Sequence, residues 1–70
     1  MWERHEIKNI NSTEQDLIYE IKIGDVVFDV VYHLRVYNNF NNQWVDYDGV
    51  CGNTEIAKYR AKEMYYKFHS

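Results

Sequence analysis

Alternation of apolar and polar side chains constrains the fold of this chain more than any other feature. From Leu17 to Ile23 every second residue is apolar, and Glu20 and Lys22 occupy positions between them. The run from Val26 to Val36 again places an apolar residue at every second position. A period of two is typical of a β-strand with one buried face. The sequence therefore predicts neighbouring strands that share one apolar face.

The connection between these two runs contains Gly24 followed by Asp25. Glycine at the first central position suits a two-residue type II′ turn, because that position needs a positive φ. Such a turn sets apolar residues opposite apolar residues along both strands, so the turn and the pattern predict the same register. The expected pairs are Ile23 with Val26, Ile21 with Phe28, Tyr19 with Val30 and Leu17 with Tyr32.

The stretch YNNFNNQW, from Tyr37 to Trp44, predicts a second hairpin. Asparagine favours turns because its amide bonds to the local backbone and because it tolerates positive φ. We expect a loop of about six residues that sets Tyr37 opposite Trp44. The same register matches apolar residues on one face and opposite charges on the other. Its further pairs are Val36 with Val45, Leu34 with Tyr47, Arg35 with Asp46, and His33 with Asp48.

The last part of the chain, CGNTEIAKYRAKEMYYKFHS, predicts a helix over residues 53–69. Asn53 or Thr54 can cap its first turn, where Glu55 favours the positive end of the helix dipole. One stripe at helical spacing is apolar and should pack on the sheet. This core stripe consists of Ala57, Ala61, Met64, Tyr65 and Phe68.

Together these elements predict an α+β fold in a single small domain of residues 1–70. A three-stranded antiparallel β-meander occupies residues 16–50, and the C-terminal α-helix packs on one of its faces. Residues 1–15 are expected to form an N-terminal arm or a short strand. Trp2, Ile7 and Ile10 could cover part of the other sheet face.

Composition narrows the classes of protein further. The single cysteine, Cys51, allows no internal disulfide, which is typical of a reducing compartment and predicts a cytoplasmic protein. The start MWERHEIKN lacks the features of a signal peptide. Charged residues interrupt the longest apolar stretch, so we expect no membrane span. The absence of proline, with abundant Asn, Ile and Tyr, is typical of AT-rich genomes such as those of many phages.

Candidate chemistry is sparse, and the sequence predicts no catalytic site, no metal site and no cofactor. His33 beside Asp48 resembles the base and orienting acid of a triad, but no nucleophile is placed near them. Glu20 opposite Asp29 suggests a carboxylate pair, yet a flat face shared with cations does not exclude water. Neither a glycine-rich phosphate loop nor zinc-ligand spacing is present. We therefore expect a protein that is not an enzyme.

Two surfaces remain once the core is assigned, and the first is the hairpin tip with the sheet face opposite the helix. Phe40 in a polar loop, flanked by Tyr37 and Trp44, has the composition of a binding hot spot. The sequence predicts a small protein-binding module, an inhibitor or adaptor of viral, phage type, whose partner is another protein. Phe40 could instead fold back over the hairpin. The predicted partner-binding residues are Tyr37, Phe40, Trp44, His33, Arg35, Asp46 and Asp48.

The alternative function is single-stranded nucleic-acid binding, with bases stacked on Tyr37 and Trp44. The net charge of −3 and the carboxylates predicted on this face argue against it. The passage GVCGNTEIAKYRAK resembles the last strand-to-helix passage of the double-stranded-RNA-binding domain, which has lysines at the helix start. Thr54 and Glu55 occupy those positions here and that family's first helix has no counterpart, so we infer no membership.

The second surface is a helix stripe opposite the core stripe, which we call the outer stripe. It consists of Ile56, Tyr59, Glu63 and Tyr66. A helix that covers one sheet does not need a second apolar stripe. The sequence predicts a weak homodimer through the outer stripe, unless the N-terminal arm covers it.

Overall fold

The computed structural model describes residues 1–8, 16–24 and 29–68. Within them, four strands form an antiparallel sheet in the order β1-β2-β3-β4, and one helix follows. The predicted α+β fold is confirmed, and the N-terminal arm supplies the fourth strand. The elements are β1 (Glu3–Ile7), β2 (Leu17–Ile23), β3 (Tyr32–Asn38), β4 (Gln43–Asp46) and α1 (Thr54–Phe68).

The core lies between α1 and the inner face of the sheet, by which we mean the face that α1 covers. Alternation along β2 and β3 places five side chains in it, and the core stripe of α1 closes it. Ala57 and Ala61 are fully buried, so small side chains let the helix backbone approach the sheet closely. The buried core residues are Leu17, Tyr19, Ile21, Leu34, Val36, Cys51, Ala57, Ala61 and Tyr65. Met64 and Phe68 pack at its margin.

The predicted register between the first two runs is wrong. Tyr19 pairs with Val36, not Val30, and Ile23 pairs with Tyr32. The N–H of Gly24 donates to the carbonyl of Val31 at 2.8 Å, so the connection is longer than a two-residue turn. The predicted partners Val26 and Phe28 lie outside the described residues.

A shift by an even number of residues keeps every side chain on its predicted face, which is why the alternation alone did not reveal it. The observed register places Leu34 and Val36 under the helix and leaves Val30 44% exposed. It also pairs Glu20 with Arg35 rather than with Asp29.

The register of the second hairpin is confirmed from Arg35 to Tyr37. Tyr37 pairs with Trp44, Val36 with Val45 and Arg35 with Asp46, and the N–H of Tyr47 donates to the carbonyl of Leu34 at 2.9 Å. Asn38 also pairs with Gln43, so the loop has four residues, 39–42, rather than about six. Its last residue, Asn42, has a φ of 58°, in the left-handed region that asparagine tolerates.

The predicted pair of His33 with Asp48 is wrong. Beyond β4 the chain bends at Asp48 and Gly49, which has a φ of 134°, and it pairs again where Cys51 meets Tyr32. The bend inserts two residues relative to the β3–β4 register, so His33 and Asp48 are not partners in the ladder. On the other side of β3, His33 lies opposite Lys22 of β2.

The helix begins as predicted. The Oδ1 atom of Asn53 accepts a hydrogen bond from the N–H of Ile56 at 2.8 Å, so Asn53 is the N-cap. The helix is described to Phe68, and its predicted last residue lies outside the described part of the chain. Within that part, no helix combines the length and the apolar character needed to cross a bilayer.

Candidate interaction surface

Asparagine side chains hold the hairpin tip in shape. Each of three amide oxygens accepts a hydrogen bond from a nearby group, which satisfies polar groups that a loop would otherwise leave to water. Two of the donors are backbone N–H groups and the third is a tyrosine hydroxyl. The bonds run from Phe40 N–H to Asn38 at 2.9 Å, from Gln43 N–H to Asn41 at 3.1 Å, and from Tyr37 O–H to Asn42 at 3.1 Å.

Phe40 lies at the apex of this loop and is 60% exposed. At this exposure Phe40 is not buried against the hairpin. Tyr37 and Trp44 meet directly behind the tip, with ring centroids 5.3 Å apart in an edge-to-face arrangement. The tip thus combines an exposed aromatic ring with a base of packed aromatic rings.

Behind the tip, the outer face of the sheet carries an arginine between two tryptophans. The guanidinium carbon of Arg35 lies 4.2 Å from the ring centroid of Trp2 and 4.8 Å from that of Trp44. Arg35 lies on β3 and Trp44 on β4, two positions from its direct partner, so the two side chains meet diagonally. Both distances fall within the range of cation–π attraction. Trp2 precedes β1 and reaches the same cation from the other side.

Glu20 anchors this arrangement although it is only 8% exposed. Its Oε1 atom accepts hydrogen bonds from Nε of Arg35 at 2.8 Å and from a terminal nitrogen of the same guanidinium at 2.5 Å. Its Oε2 atom lies 3.4 Å from Nε of Arg4. A buried carboxylate needs such compensation, because the removal of a charged group from water is costly unless an ion-pair partner replaces the lost hydration. Glu20 is therefore engaged in ion pairs on both of its oxygens.

Two further cations border the same face. The ammonium of Lys22 lies 4.8 Å from the ring centroid of Trp2, and the guanidinium of Arg4 lies 6.0 Å from that of Trp44. An open depression of about 290 Å³ adjoins Trp2, and a smaller one of about 170 Å³ adjoins Trp44. The larger depression is lined by Trp2, Lys22, His33, Leu34, Asp46 and Tyr47.

The structure brings together only some of the predicted partner-binding residues. Arg35, Tyr37 and Trp44 form one continuous patch, and Asp46 lies opposite Arg35 in the ladder. Phe40 extends beyond this patch at the tip. His33 is exposed at the far end of the face, and Asp48 lies past the end of β4, away from the patch.

Sequence reasoning missed Arg4 as a member of this surface. It allowed Trp2, Ile7 and Ile10 to cover part of the face; Trp2 does contact Arg35 there, and Ile10 lies outside the described residues. Ile7 packs against the core on the inner face, because odd-numbered residues of β1 point that way. Ile7 is the one apolar residue among the inner-face positions Glu3, His5 and Ile7 of β1, so no apolar alternation was present that could have identified this strand.

Two buried groups on the inner side of the sheet have raised pKa values. Burial raises the pKa of the Cys51 thiol, which is 1% exposed, and this disfavours the reactive thiolate. Burial also raises the pKa of Tyr19, with a smaller contribution from the negative charge of Glu55. Among residues 1–8, 16–24 and 29–68, no cluster of three or more His, Cys, Asp or Glu side chains could hold a metal ion.

The outer stripe of α1 lies on the opposite side of the molecule from this surface. Ile56 is 41% exposed, Tyr59 60% and Tyr66 49%. Arg60 donates to the carboxylate of Glu63 at 2.7 Å. Because β1 pairs with β2, the described part of the N-terminal arm does not cover this stripe.

Comparisons with known proteins provide no functional assignment. No family model matches the chain, and neither curated proteins nor solved structures include a significant match.

Proposed function

We propose that this protein is a non-enzymatic protein-binding module, a small inhibitor or adaptor of phage type that acts in the cytoplasm. Its contact surface comprises the hairpin tip and the adjacent outer face of the sheet. The observation that carries this proposal is the 60% exposure of Phe40 at the apex of a loop whose backbone is fixed by asparagine side chains.

A fixed tip favours binding because the loop loses little conformational freedom when a partner covers it. Large aromatic rings dominate interface hot spots, where they fill pockets on the partner. Phe40 supplies such a ring. The polar residues around it form a rim that water can hydrate when no partner is bound. Tyr37 and Trp44 extend the aromatic contact from the tip toward the sheet.

The outer face of the sheet adds charged groups that can steer and select the partner. Arg35 is held rigidly between two tryptophan rings, and Arg4 and Lys22 place positive charge at the margins of the patch. Electrostatic complementarity at a rim mainly steers association and selects partners. We therefore expect the partner to present an apolar pocket for Phe40 beside carboxylates or backbone carbonyls.

Affinity capture from the native host, with wild type and two single variants, tests the proposal. Phe40→Ala should lose the specific partner, and Val50→Ala, which truncates an equally exposed apolar side chain away from the tip, should retain it. Titration of the isolated partner should then show a loss of about tenfold or more for Phe40→Ala, as for a hot-spot residue. Equal capture by the two variants would refute the role of the tip.

Single-stranded nucleic-acid binding is the second candidate, and the burial of Glu20 favours it. With Glu20 held between Arg4 and Arg35, this carboxylate no longer faces the solvent beside the aromatic rings. Bases could then stack on Tyr37 and Trp44 while cations contact the phosphates.

Fluorescence titration distinguishes this candidate. In a Trp2→Phe background, which leaves Trp44 as the single indole, mixed oligonucleotides at low salt should quench the emission, and added salt should reverse the quench. The matched Trp44→Phe variant reports the contribution of Trp2. An emission that does not respond to oligonucleotides would remove nucleic acid as a partner.

A further inference from the structure

The outer stripe of α1 is an exposed apolar feature that the proposed function does not use. Its three apolar side chains are 41% to 60% exposed and lie on one side of a helix whose other side is buried. We propose that a second copy of this chain covers the stripe, with the two helices antiparallel about a two-fold axis.

The spacing of the outer stripe suits such an axis. Ala61 lies midway in the sequence between Ile56 and Tyr66, and also midway between Tyr59 and Glu63. In an antiparallel pair whose axis passes level with Ala61, Ile56 therefore lies level with Tyr66 of the second copy. Tyr59 likewise lies level with Glu63 of the second copy, where its hydroxyl can donate to the carboxylate. Ile56 of each copy therefore meets the ring of Tyr66 in the other, so the same patch contacts itself in both directions, as a self-complementary interface requires.

Charge complementarity favours a second copy of this chain as the molecule that covers the outer stripe. Arg60 borders the stripe beside its member Glu63, and within one copy the two side chains form a 2.7 Å ion pair. The antiparallel arrangement brings Arg60 of each copy within about one residue's rise of the level of Glu63 in the other copy, on the same side of the helix. Two symmetric cross-pairs result, so opposite charges meet twice. These pairs are exposed and few, which predicts a weak dimer.

The dimer would have four layers, with a sheet on each outside and the two helices between them. Because α1 covers the inner face of each sheet, the two outer faces would point in opposite directions. If the proposed function holds, one dimer therefore presents two contact surfaces and can bind two partner molecules. This consequence depends on the proposed function, whereas the dimer itself does not.

Sedimentation equilibrium from micromolar to millimolar concentration provides the test. Wild type should show a monomer–dimer equilibrium. Arg60→Glu places carboxylates opposite each other and Glu63→Arg places guanidiniums opposite each other, so each variant alone should weaken the dimer about threefold or more. The double change R60E/E63R should restore it. Lys58→Glu, with the same change in net charge as Arg60→Glu but off the outer stripe, is the matched control.

A mixture of the two single variants gives the sharpest result. In a heterodimer of Arg60→Glu with Glu63→Arg, every cross-pair is again of opposite sign, so the mixture should associate more tightly than either variant alone. Changes in monomer stability cannot produce this result. Circular dichroism confirms that each variant is folded.

Other outcomes overturn the proposal. A monomer mass for wild type throughout the range would exclude the dimer. A dimer that is unaffected by Tyr59→Glu with Tyr66→Glu, or that is insensitive to the charge changes, would place the interface elsewhere. The proposed function is tested separately, because Phe40→Ala should dimerise like wild type whether or not it loses its partner.

Discussion

The two faces of the sheet are stabilised in different ways, although the same strands supply both. On the inner face, aliphatic and aromatic side chains pack under α1, and burial raises the pKa values of Cys51 and Tyr19, which keeps both groups neutral at neutral pH. On the outer face a carboxylate is buried instead, and Arg35 with two tryptophan rings compensates it.

This difference reflects what covers each face. A helix with an alanine surface excludes water, so the part of the inner face beneath α1 favours apolar or neutral groups. The outer face has no second layer in the described structure, and its side chains must shield one another. Long side chains do so by stacking, since their stems and rings are apolar while their ends are polar. The inner face should thus supply most of the stability, and the outer face should depend on a few specific pairs.

Truncation on the inner face should have the largest effect. Leu34 is 2% exposed in the centre of the core, and Leu34→Ala should lower the free energy of unfolding by about 3 kcal/mol, from lost burial and the cavity left behind. Urea denaturation measures it. Val30→Ala, at a position 44% exposed, should cost no more than about 0.5 kcal/mol. Similar losses for both variants would contradict the observed register.

Removal of the Arg35 guanidinium should lower the free energy of unfolding by less than Leu34→Ala does. The loss should arise because the carboxylate of Glu20 stays buried without its closest partner. Arg35→Met keeps the apolar stem but leaves Glu20 with its more distant partner Arg4, and should cost about 1 to 3 kcal/mol. The double variant Glu20→Leu, Arg35→Met removes both charges and should be more stable than Arg35→Met alone. A double variant that is less stable than the single one would show that Glu20 is not dependent on Arg35.

The pH dependence of the free energy of unfolding should reveal the burial of the Cys51 thiol on the inner face. Burial raises the pKa of the Cys51 thiol, so the folded chain holds this proton more tightly than the unfolded chain does. The resulting stabilisation is fully present below the unfolded pKa, about 8.5, and is lost as the pH rises through the folded pKa. Unfolding free energy should therefore fall as the pH increases above about 8.5, and the fall should be smaller in Cys51→Ser. Identical pH profiles for the two proteins would refute this contribution.

The smallest effect on stability should come from the tip. Phe40 is large but 60% exposed, so Phe40→Ala should change the free energy of unfolding by no more than about 0.5 kcal/mol. Thermal unfolding of the two proteins under the same conditions measures this. A loss comparable with that of Leu34→Ala would mean that the ring stabilises the fold, and it would remove the main support for the proposed contact surface.

Sequence reasoning succeeded where neighbouring residues carry the information. The Asn-rich loop and the strands beside it agree on one register, because opposite charges, apolar pairs and turn residues all select it. The core stripe of α1 and its Asn53 cap follow from helical spacing and local hydrogen bonding. Both features depend on residues that are close in the sequence, so tertiary packing did not alter them.

The sequence pattern predicted the wrong β2–β3 register. It also did not decide whether the N-terminal residues form an arm or the strand β1. Strands that alternate over a long run satisfy the same pattern at every shift of two residues, so Val30 and Val36 were equivalent candidates for Tyr19. In β1 the side chains at the inner-face positions include Glu3 and His5, which conceal the alternation. Tyr19 accommodates His5 by ring stacking, with centroids 5.2 Å apart, a contact that no local signal predicts.

The sequence by itself therefore determined the fold class, the sides of β2, β3 and β4 that face the core, the second hairpin and the helix, because each depends on local periodicity or local hydrogen bonds. Only the tertiary structure decided the β2–β3 register and the contact of Trp2 with Arg35. It also decided that Glu20 is buried rather than exposed. These features depend on which distant segments meet: the observed register buries Leu34 and Val36 beneath α1 and pairs Glu20 with Arg35.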